Sequence, residues 1–276
     1  MSSLIATAIT EDQCRRDLTT RALVSKEMKA TAVVIAKEEG VVYGLELVKA
    51  VFQKFDSRIK VKMLAREGQH VKKGQNVLQV QGRARAILSG ERVALNLLSH
   101  LSGIATLTNE FVRRVYPFKV KILDTRKTLP GLRSLQKMAV RYGGGVNHRM
   151  NLSEMIMIKD NHHKIIAQQK KSLIGLIQDL RKKVSVPIEV EVDDLEQLSV
   201  VLQARPDVVL LDNMNLSQLR RAVEMRKMSA PNVLLEASGG IHLGNVRPIA
   251  QTGVDRISIG ALTHSAKALD FSIEVK

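Results

Sequence analysis

The chain has 276 residues and a mass of 30.6 kDa, long enough for one large domain or two unequal ones. Apolar residues make up 45% and charged residues 25%, which excludes an intrinsically disordered protein. No apolar run approaches the roughly 20 residues of a bilayer span, and no basic lead-in to an apolar stretch opens the sequence, so we expect a soluble protein without a secretory signal. The single cysteine, Cys14, excludes an internal disulfide and a multi-cysteine zinc site and favours a reducing cytoplasm.

The charge balance is the most informative feature of the composition. Lys and Arg number 43 against 27 Asp and Glu, a net charge of +16, which indicates anionic partners such as nucleic acid, a membrane surface or phosphorylated small molecules. There is no Trp, the aromatic content is 3%, and no zinc-finger or basic-zipper pattern is present, so little material is available for stacking nucleic-acid bases. Part of the positive excess is expected to be solvated helix surface.

Residues 1–115 predict a separate α+β domain. Strand-like stretches with glycine turns cover residues 30–44 and 58–82, and a helix is expected near residues 44–55. A long helix from about Glu91 to Val115 follows, with apolar residues at helical spacing. We expect the tail, residues 266–276, to complete this domain.

From Val120 onward, short apolar runs alternate with helical stretches, the pattern of a parallel sheet. Polar or glycine residues follow every run, and the carboxyl ends of parallel barrel strands meet at one mouth, where such folds place their active sites. The predicted fold is therefore α/β: an open or incomplete (β/α) barrel with parallel strands over residues 116–265, plus an N-terminal α+β sandwich domain. The predicted barrel strands are VKIL (120–123), MIMI (155–158), IEVEV (188–192), VVLL (208–211), VLLEA (233–237) and RISIG (256–260).

Cationic and polar side chains follow the first two barrel strands and the glycine run between them. Arginine binds carboxylates bidentately and lysine supplies a point charge, so this set predicts a site for a multiply anionic small substrate. Any one of these residues alone would be interpreted as a surface or ion-paired residue, and it is their shared position at the mouth that favours a site. The set comprises Thr125, Arg126, Lys127, His148, Arg149 and Lys159.

Acidic residues and glycine turns complete the predicted mouth. Glu189 and Glu191 lie on the same face of IEVEV, and Asp212 ends the next strand. Glu191 and Asp212 are candidates for holding Mg²⁺, directly or through water, or for stabilising positive charge on a substrate carbon; a salt bridge from Glu191 to a mouth arginine is the alternative. The turns Ser238-Gly239-Gly240 and 258–261 stand where barrels bind phosphate with backbone N–H groups.

Several strings resemble the quinolinate phosphoribosyltransferase family, and they span most of the chain. That resemblance implies transfer of the phosphoribosyl group of phosphoribosyl pyrophosphate to quinolinate with decarboxylation, giving nicotinate mononucleotide, pyrophosphate and CO₂ in de novo NAD synthesis. It also implies Mg²⁺ bound with phosphoribosyl pyrophosphate. The strings are GERVALNLLSHLSGIAT (90–106), ILDTRKTLPGLR (122–133), KMAVRYGGGVNHRMNLSEMIMIKDNH (137–162), IEVEVDDLEQL (188–198), VVLLDNMN (208–215), LEASGGI (235–241) and TGVDRISIGALTHSAKALDFSIEV (252–275).

The same resemblance implies roles for individual residues. Lys127, Glu191 and Asp212 are the catalytic candidates, with Lys127 between quinolinate and pyrophosphate and the two acids near the ribose and magnesium. Arg92 resembles an arginine that reaches into the neighbouring subunit's site, which implies a homodimer and leaves a hexamer open. The residues that resemble quinolinate-carboxylate ligands are Arg126, His148, Arg149 and Lys159, and those that match the 5′-phosphate site are Ser238, Gly239, Gly240, Ile259, Gly260, Ala261 and His264.

Three other interpretations stay open at this point. The molybdenum-transport-associated paralogue is a similar barrel that would act on another base, although the string Lys159-Asp160-Asn161-His162 favours the quinolinate enzyme. A basic nucleic-acid-binding protein would owe its affinity to phosphate contacts and would lose that affinity steeply with salt. A type I phosphoribosyltransferase would show two adjacent acids and Thr-Gly after an apolar strand, whereas VVLLDNMN has one acid followed by Asn.

Overall fold

The computed structural model describes residues 2–168 and 172–276 and divides into two compact units. The first unit contains the chain up to Asn109, Leu129–Gly144 and Ser265–Lys276. The second contains Glu110–Thr128 and Gly145–His264. Segments from distant parts of the sequence therefore build the first unit.

The first unit is an α+β structure, as predicted. Its four-stranded antiparallel sheet has the order β12-β1-β5-β3, and β2 and β4 form a separate two-stranded ladder. None of the described helices of the chain is both long enough and apolar enough to cross a membrane. The elements are helices α1 (Ser2–Glu11), α2 (Leu18–Leu23), α3 (Leu45–Phe55) and α5 (Arg133–Tyr142), the start of helix α4 (Ala84–Val115), and strands β1 (Lys29–Ala36), β2 (Gly40–Val41), β3 (Lys60–Met63), β4 (His70–Val71), β5 (Asn76–Arg83) and β12 (Phe271–Val275).

Helix α4 begins at Ala84, earlier than the predicted start near Glu91. A glycine inside a helix weakens it, which is why the sequence around Gly90 did not indicate helix. Glycine suits this position because the aromatic rings of Phe52 and Phe55 pack against it: a Cβ there would lie 3.1–3.2 Å from their ring atoms. The close packing on α3 thus compensates for the missing side chain.

The second unit contains all six predicted barrel strands in one parallel sheet, in the order β6-β11-β10-β9-β8-β7. Within residues 2–168 and 172–276, β6 and β7 do not pair with each other, so the barrel is open, as predicted. The elements are strands β6 (Lys121–Leu123), β7 (Ile156–Ile158), β8 (Ile188–Val192), β9 (Val208–Asp212), β10 (Leu234–Ser238) and β11 (Arg256–Ser258), and helices α6 (Asp160–Gln168), α7 (Leu173–Lys183), α8 (Leu195–Ala204), α9 (Leu216–Ser229), α10 (Val246–Ala250) and α11 (Ala261–His264).

Local sequence signals start the helices that cover this sheet. The Asp194 side chain accepts a hydrogen bond from the Gln197 amide (2.8 Å) at the beginning of α8. Asn215 and Gln218 form a reciprocal capping box at the beginning of α9. Each such cap satisfies amides that have no partner within the helix, and an apolar stripe on each helix then buries the outward face of the strands. The mouth-facing side of the sheet is left for polar chemistry.

Candidate active site

A cavity of about 760 Å³ opens at the carboxyl ends of the second unit's strands. It brings together the residues that the sequence placed at the mouth, all but Arg92. These are Thr125, Arg126, Lys127, His148, Arg149, Lys159, Glu191, Asp212, Ser238, Gly239, Gly240, Ile259, Gly260, Ala261 and His264. Asn213 and Ser258, which follow or end their strands as expected, also line it, whereas the sequence-based prediction missed Met157, Leu210, Glu236 and Ile241.

The strand period explains why acids face this cavity. Side chains two residues apart share a face of a strand, so Leu210 and Asp212 face the cavity together, as do Glu236 and Ser238. Parallel pairing places Glu191 beside Leu210, and Leu210 beside Glu236, across three neighbouring strands. The register of the sheet therefore fixes the relative positions of the acids.

Lys159 and Glu191 form an ion pair at the mouth, with 3.0 Å between Nζ and Oε2. The sequence had offered an arginine as the alternative partner of Glu191, and the structure supplies a lysine. Lys159 stands between β7 and α6, and its backbone N–H donates to Nδ1 of His162 (3.0 Å). Residues 159–162 thus connect strand β7 directly to helix α6.

Asp212 lies where the negative charge of the mouth is concentrated. Burial raises the pKa of its carboxyl group above the ordinary value, and repulsion from Glu191 raises it further. The side-chain amide of Asn213 opposes this rise by donating a hydrogen bond to Asp212 (2.8 Å). Two carboxylates that repel each other beside the cavity favour the arrival of positive charge between them.

His148 lies below the mouth against two buried carboxylates that the sequence had not grouped with it. Its Nε2 is 3.0 Å from Oε2 of Glu189 and 3.5 Å from Oε1 of Glu236, and both acids are fully buried. Burial alone would lower the pKa of the imidazole, but the hydrogen bonds and charges of the two carboxylates outweigh it and raise the pKa to about 9. Burial also raises the pKa of Glu189.

The loop that carries His148 is tied to strand β6 through Asp124. The backbone N–H of His148 donates to Oδ1 of Asp124 (2.9 Å), and the Asn147 side chain donates to Oδ2. Arg149 is held in turn, because its guanidinium donates to the carbonyl of Met155 (3.0 Å) and contacts the sulfur of Met157 (3.4 Å). A segment with no regular secondary structure is thereby given a defined shape beside the cavity.

Two glycine-containing turns form the opposite side of the mouth. Gly239 has φ +92°, and a Cβ there would overlap the Asn213 side chain, so only glycine fits. A Cβ on Gly260 would lie 3.0–3.1 Å from His264 and Lys127. The backbone therefore comes close to the cavity, as binding of a phosphate by main-chain N–H groups requires.

Arg92 is placed differently from the other predicted residues. It lies on helix α4 in the first unit and is exposed. It is absent from the described residues that line the cavity of the same chain.

Two family models match the chain. The model of the quinolinate phosphoribosyl transferase N-terminal domain matches residues 17–102, and that of the C-terminal domain matches residues 104–274. Together they cover nearly the whole chain.

Curated relatives and solved structures agree with these models. The chain is 44% identical to the carboxylating nicotinate-nucleotide pyrophosphorylase of Mycobacterium leprae, over 94% of this chain and 91% of the relative. It is 41% identical to a probable enzyme of the same name from Bacillus subtilis, over 96% and 90%. A crystal structure of NadC from Streptococcus pyogenes superimposes with a TM-score of 0.93 at 37% identity, covering 100% of this chain and 96% of the other.

Proposed function

The chain belongs to the quinolinate phosphoribosyltransferase family, and we propose that the cavity at the mouth of its barrel is where that family's reaction takes place. The enzyme transfers the phosphoribosyl group of phosphoribosyl pyrophosphate to quinolinate with decarboxylation. The products are nicotinate mononucleotide, pyrophosphate and CO₂, and the reaction belongs to NAD synthesis. The protein is therefore a pentosyltransferase.

The observation that carries the proposed site is the convergence of cations, acids and glycine turns on one cavity. Quinolinate is a dicarboxylate and phosphoribosyl pyrophosphate a polyphosphate, so both substrates need positive charge. Arg126, Arg149 and Lys159 suit the carboxylates of quinolinate, because guanidinium and ammonium groups form charge-assisted hydrogen bonds with them. The Lys127 side chain comes close to Gly260 in one of the glycine turns and suits the pyrophosphate.

The roles of the acids follow from the charge that develops during transfer. As the bond from ribose C1 to pyrophosphate breaks, positive charge develops on the ribose ring, and the carboxylates of Glu191 and Asp212 stabilise it. The nitrogen of the quinolinate ring then forms a bond to C1. The adjacent carboxylate leaves the quaternised ring as CO₂, its bonding electron pair stays on the ring carbon, and that carbon takes up a proton from water. No side-chain nucleophile is needed, because orientation of two bound substrates and electrostatic stabilisation supply the acceleration.

Mg²⁺ suits the acidic side of the mouth. Oxygen ligands are those that Mg²⁺ prefers, and the pKa of Asp212 rises partly because Glu191 repels its charge, a repulsion that a cation would relieve. Glu191 and Asp212 would hold the ion directly or through water. When bound with phosphoribosyl pyrophosphate, Mg²⁺ would neutralise charge on the pyrophosphate leaving group.

The oligomeric state and the cellular location are also part of the proposal. Arg92 is exposed and is not among the described residues that line this chain's cavity, which supports a homodimer in which Arg92 completes the site of the partner subunit. A hexamer built from such dimers is compatible with the same contact. The single buried thiol, Cys14, supports a cytoplasmic location.

Mixing two inactive variants tests the shared site. Arg92→Ala and Asp212→Asn are each expected to be nearly inactive, whereas a mixture reassembled from dissociated subunits is expected to regain activity, since some dimers then contain one site with both native residues. A titration of activity against mixing ratio measures this. If the mixture stays as inactive as its components while forming mixed dimers, Arg92 does not act across an interface.

Product formation tests the reaction and its substrate together. Purified protein incubated with quinolinate, phosphoribosyl pyrophosphate and Mg²⁺ is expected to form nicotinate mononucleotide and CO₂ in equal amounts, measured by chromatography and by release of labelled CO₂. Reactions with nicotinate in place of quinolinate are the control and should give no product. Preference for nicotinate or another base by the folded protein would contradict the assignment of substrate.

A further inference from the structure

The fully buried acids Glu189 and Glu236 have no role in the mechanism above, although both reach a residue at the mouth. They stand on β8 and β10 with β9 between them, and both lie beside Nε2 of His148. Burying two carboxylates under a site for anionic substrates is unfavourable twice over, because they lose hydration and repel the substrate. Apolar residues of similar volume would fill the same space at a lower cost in folding free energy. We therefore expect the two acids to have a function.

The structure shows a continuous set of contacts from these acids to the cavity. Nε2 of His148 faces Glu189 at 3.0 Å, and Nδ1 accepts a hydrogen bond from the backbone N–H of Arg149 (2.8 Å). Both ring nitrogens are therefore engaged inside the protein. The ring fixes the backbone of Arg149, whose guanidinium is further fixed by Met155 and Met157 and lines the cavity.

Charged groups on three neighbouring elements surround His148. Glu189 and Glu236 face the ring from β8 and β10, and Asp124 holds its backbone N–H from the end of β6. Arg256, beside Glu236 in the sheet register, lowers the pKa of Glu189 by its charge, against the larger effect of burial. Nδ1 can accept the Arg149 amide only while the ring is neutral, and in that form the ring carries its proton on Nε2, which faces the two carboxylates.

We propose that Glu189 and Glu236 are positioning residues for quinolinate, which act by clamping the His148 ring and, through it, the backbone of Arg149. This inference rests on the proposed function, because quinolinate is the ligand that Arg149 orients. Phosphoribosyl pyrophosphate is bound mainly on the other side of the mouth, by the glycine turns. The clamp therefore controls affinity for one substrate and leaves the other largely unaffected.

Substitution of the acids separates this role from a purely structural one. With kinetics measured above about pH 9, where the His148 ring is neutral, Glu236→Leu and Glu189→Leu are expected to raise KM for quinolinate by about tenfold or more, the effect of losing a hydrogen bond to a charged group. KM for phosphoribosyl pyrophosphate is expected to stay within about twofold. Glu236→Gln, which retains a hydrogen-bonding side chain of the same shape, is expected to restore part of the quinolinate affinity even if the leucine variants fold poorly.

A matched control distinguishes positioning from general loss of stability. Val209→Ala, a fully buried change on the intervening strand β9, lowers the melting temperature and should leave the ratio of the two KM values unchanged. Calorimetric titration with quinolinate should show the same loss of affinity in the glutamate variants. A Glu236→Gln variant with parental quinolinate KM, or variants whose two KM values rise together as in Val209→Ala, would overturn the proposal.

The ligand atoms of His148, Glu189 and Glu236 lie within 4.8 Å of one another, so a bound metal is the competing explanation. We expect elemental analysis of the purified enzyme to show no stoichiometric transition metal at these residues. A metal bound one per chain and lost in Glu236→Gln would overturn the positioning role. If the parent enzyme neither binds quinolinate nor forms product, the proposed function fails first; if the parent is active and only the variants behave otherwise, the clamp alone fails.

Discussion

Replacing Asp212 by asparagine is expected to lower kcat at saturating concentrations of both substrates by about 100-fold or more, the usual effect of removing one electrostatic contact to a transition state. Asparagine keeps the shape of the side chain and an oxygen that accepts from Asn213, but it carries no charge. The loss therefore reports on stabilisation of the positive ribose. Steady-state kinetics with both substrates in excess measures it.

Asp193→Asn is the matched control for this substitution. Asp193 is exposed, lies outside the set of described cavity residues, and yet contributes to the raised pKa of Asp212 through its charge. Removing this more distant charge is expected to change kcat by less than about threefold, because an exposed charge is screened by solvent. Near-parental turnover of Asp212→Asn would show that the acid is not part of the catalytic machinery.

The pH dependence of folding is expected to reveal the buried His148 cluster. The pKa of His148 is raised from 6.5 to about 9 in the folded protein. A raised pKa contributes stability that is fully present below about pH 6.5 and is lost as the pH rises through about 9. The shift corresponds to about 3 kcal/mol. The Arg149 amide bond to Nδ1 requires the neutral ring and opposes the shift by about 1 kcal/mol, which leaves about 2 kcal/mol.

Urea unfolding of the parent and of His148→Gln across this pH range measures the effect. The free energy of unfolding should differ between the two proteins by about 2 kcal/mol more at the acidic end of the range than at the alkaline end. A difference for His148→Gln that stays constant across this range would mean that the carboxylates do not hold a charged imidazole.

The strands of the second unit could be predicted because each is a short apolar run bounded by polar residues. The rule that parallel strands converge at their carboxyl ends then placed Asp212, Lys159 and Gly239 together without any tertiary information. The family resemblance supplied the roles of these residues, which the pattern alone did not. The residues of the site could therefore be predicted from their positions after successive strands in the sequence.

The buried acids were harder to place, for a physical reason. Glu189 and Glu236 sit inside apolar strands, where a fully buried carboxylate needs a partner, and that requirement was the available signal. The partner, His148, lies in a segment without periodicity, so no sequence rule brings it to them. Helix α5 (Arg133–Tyr142) lies in one of the helical stretches expected between the apolar runs, but its bounds were not predicted, because basic and polar residues interrupt its apolar stripe.

The pairing of β1 with β12 has a consequence for the order of events during synthesis. Ala32 opposes Val275 and Ala36 opposes Phe271, so an interior strand of the first sheet gains one of its two neighbours more than 200 residues later. Domains commonly fold from the amino terminus as the ribosome releases them. Here the second unit, complete by His264, is free to fold while the first still has an open edge. Strand β1 is therefore the first strand to be synthesised, and its pairing with β12 is the last to form.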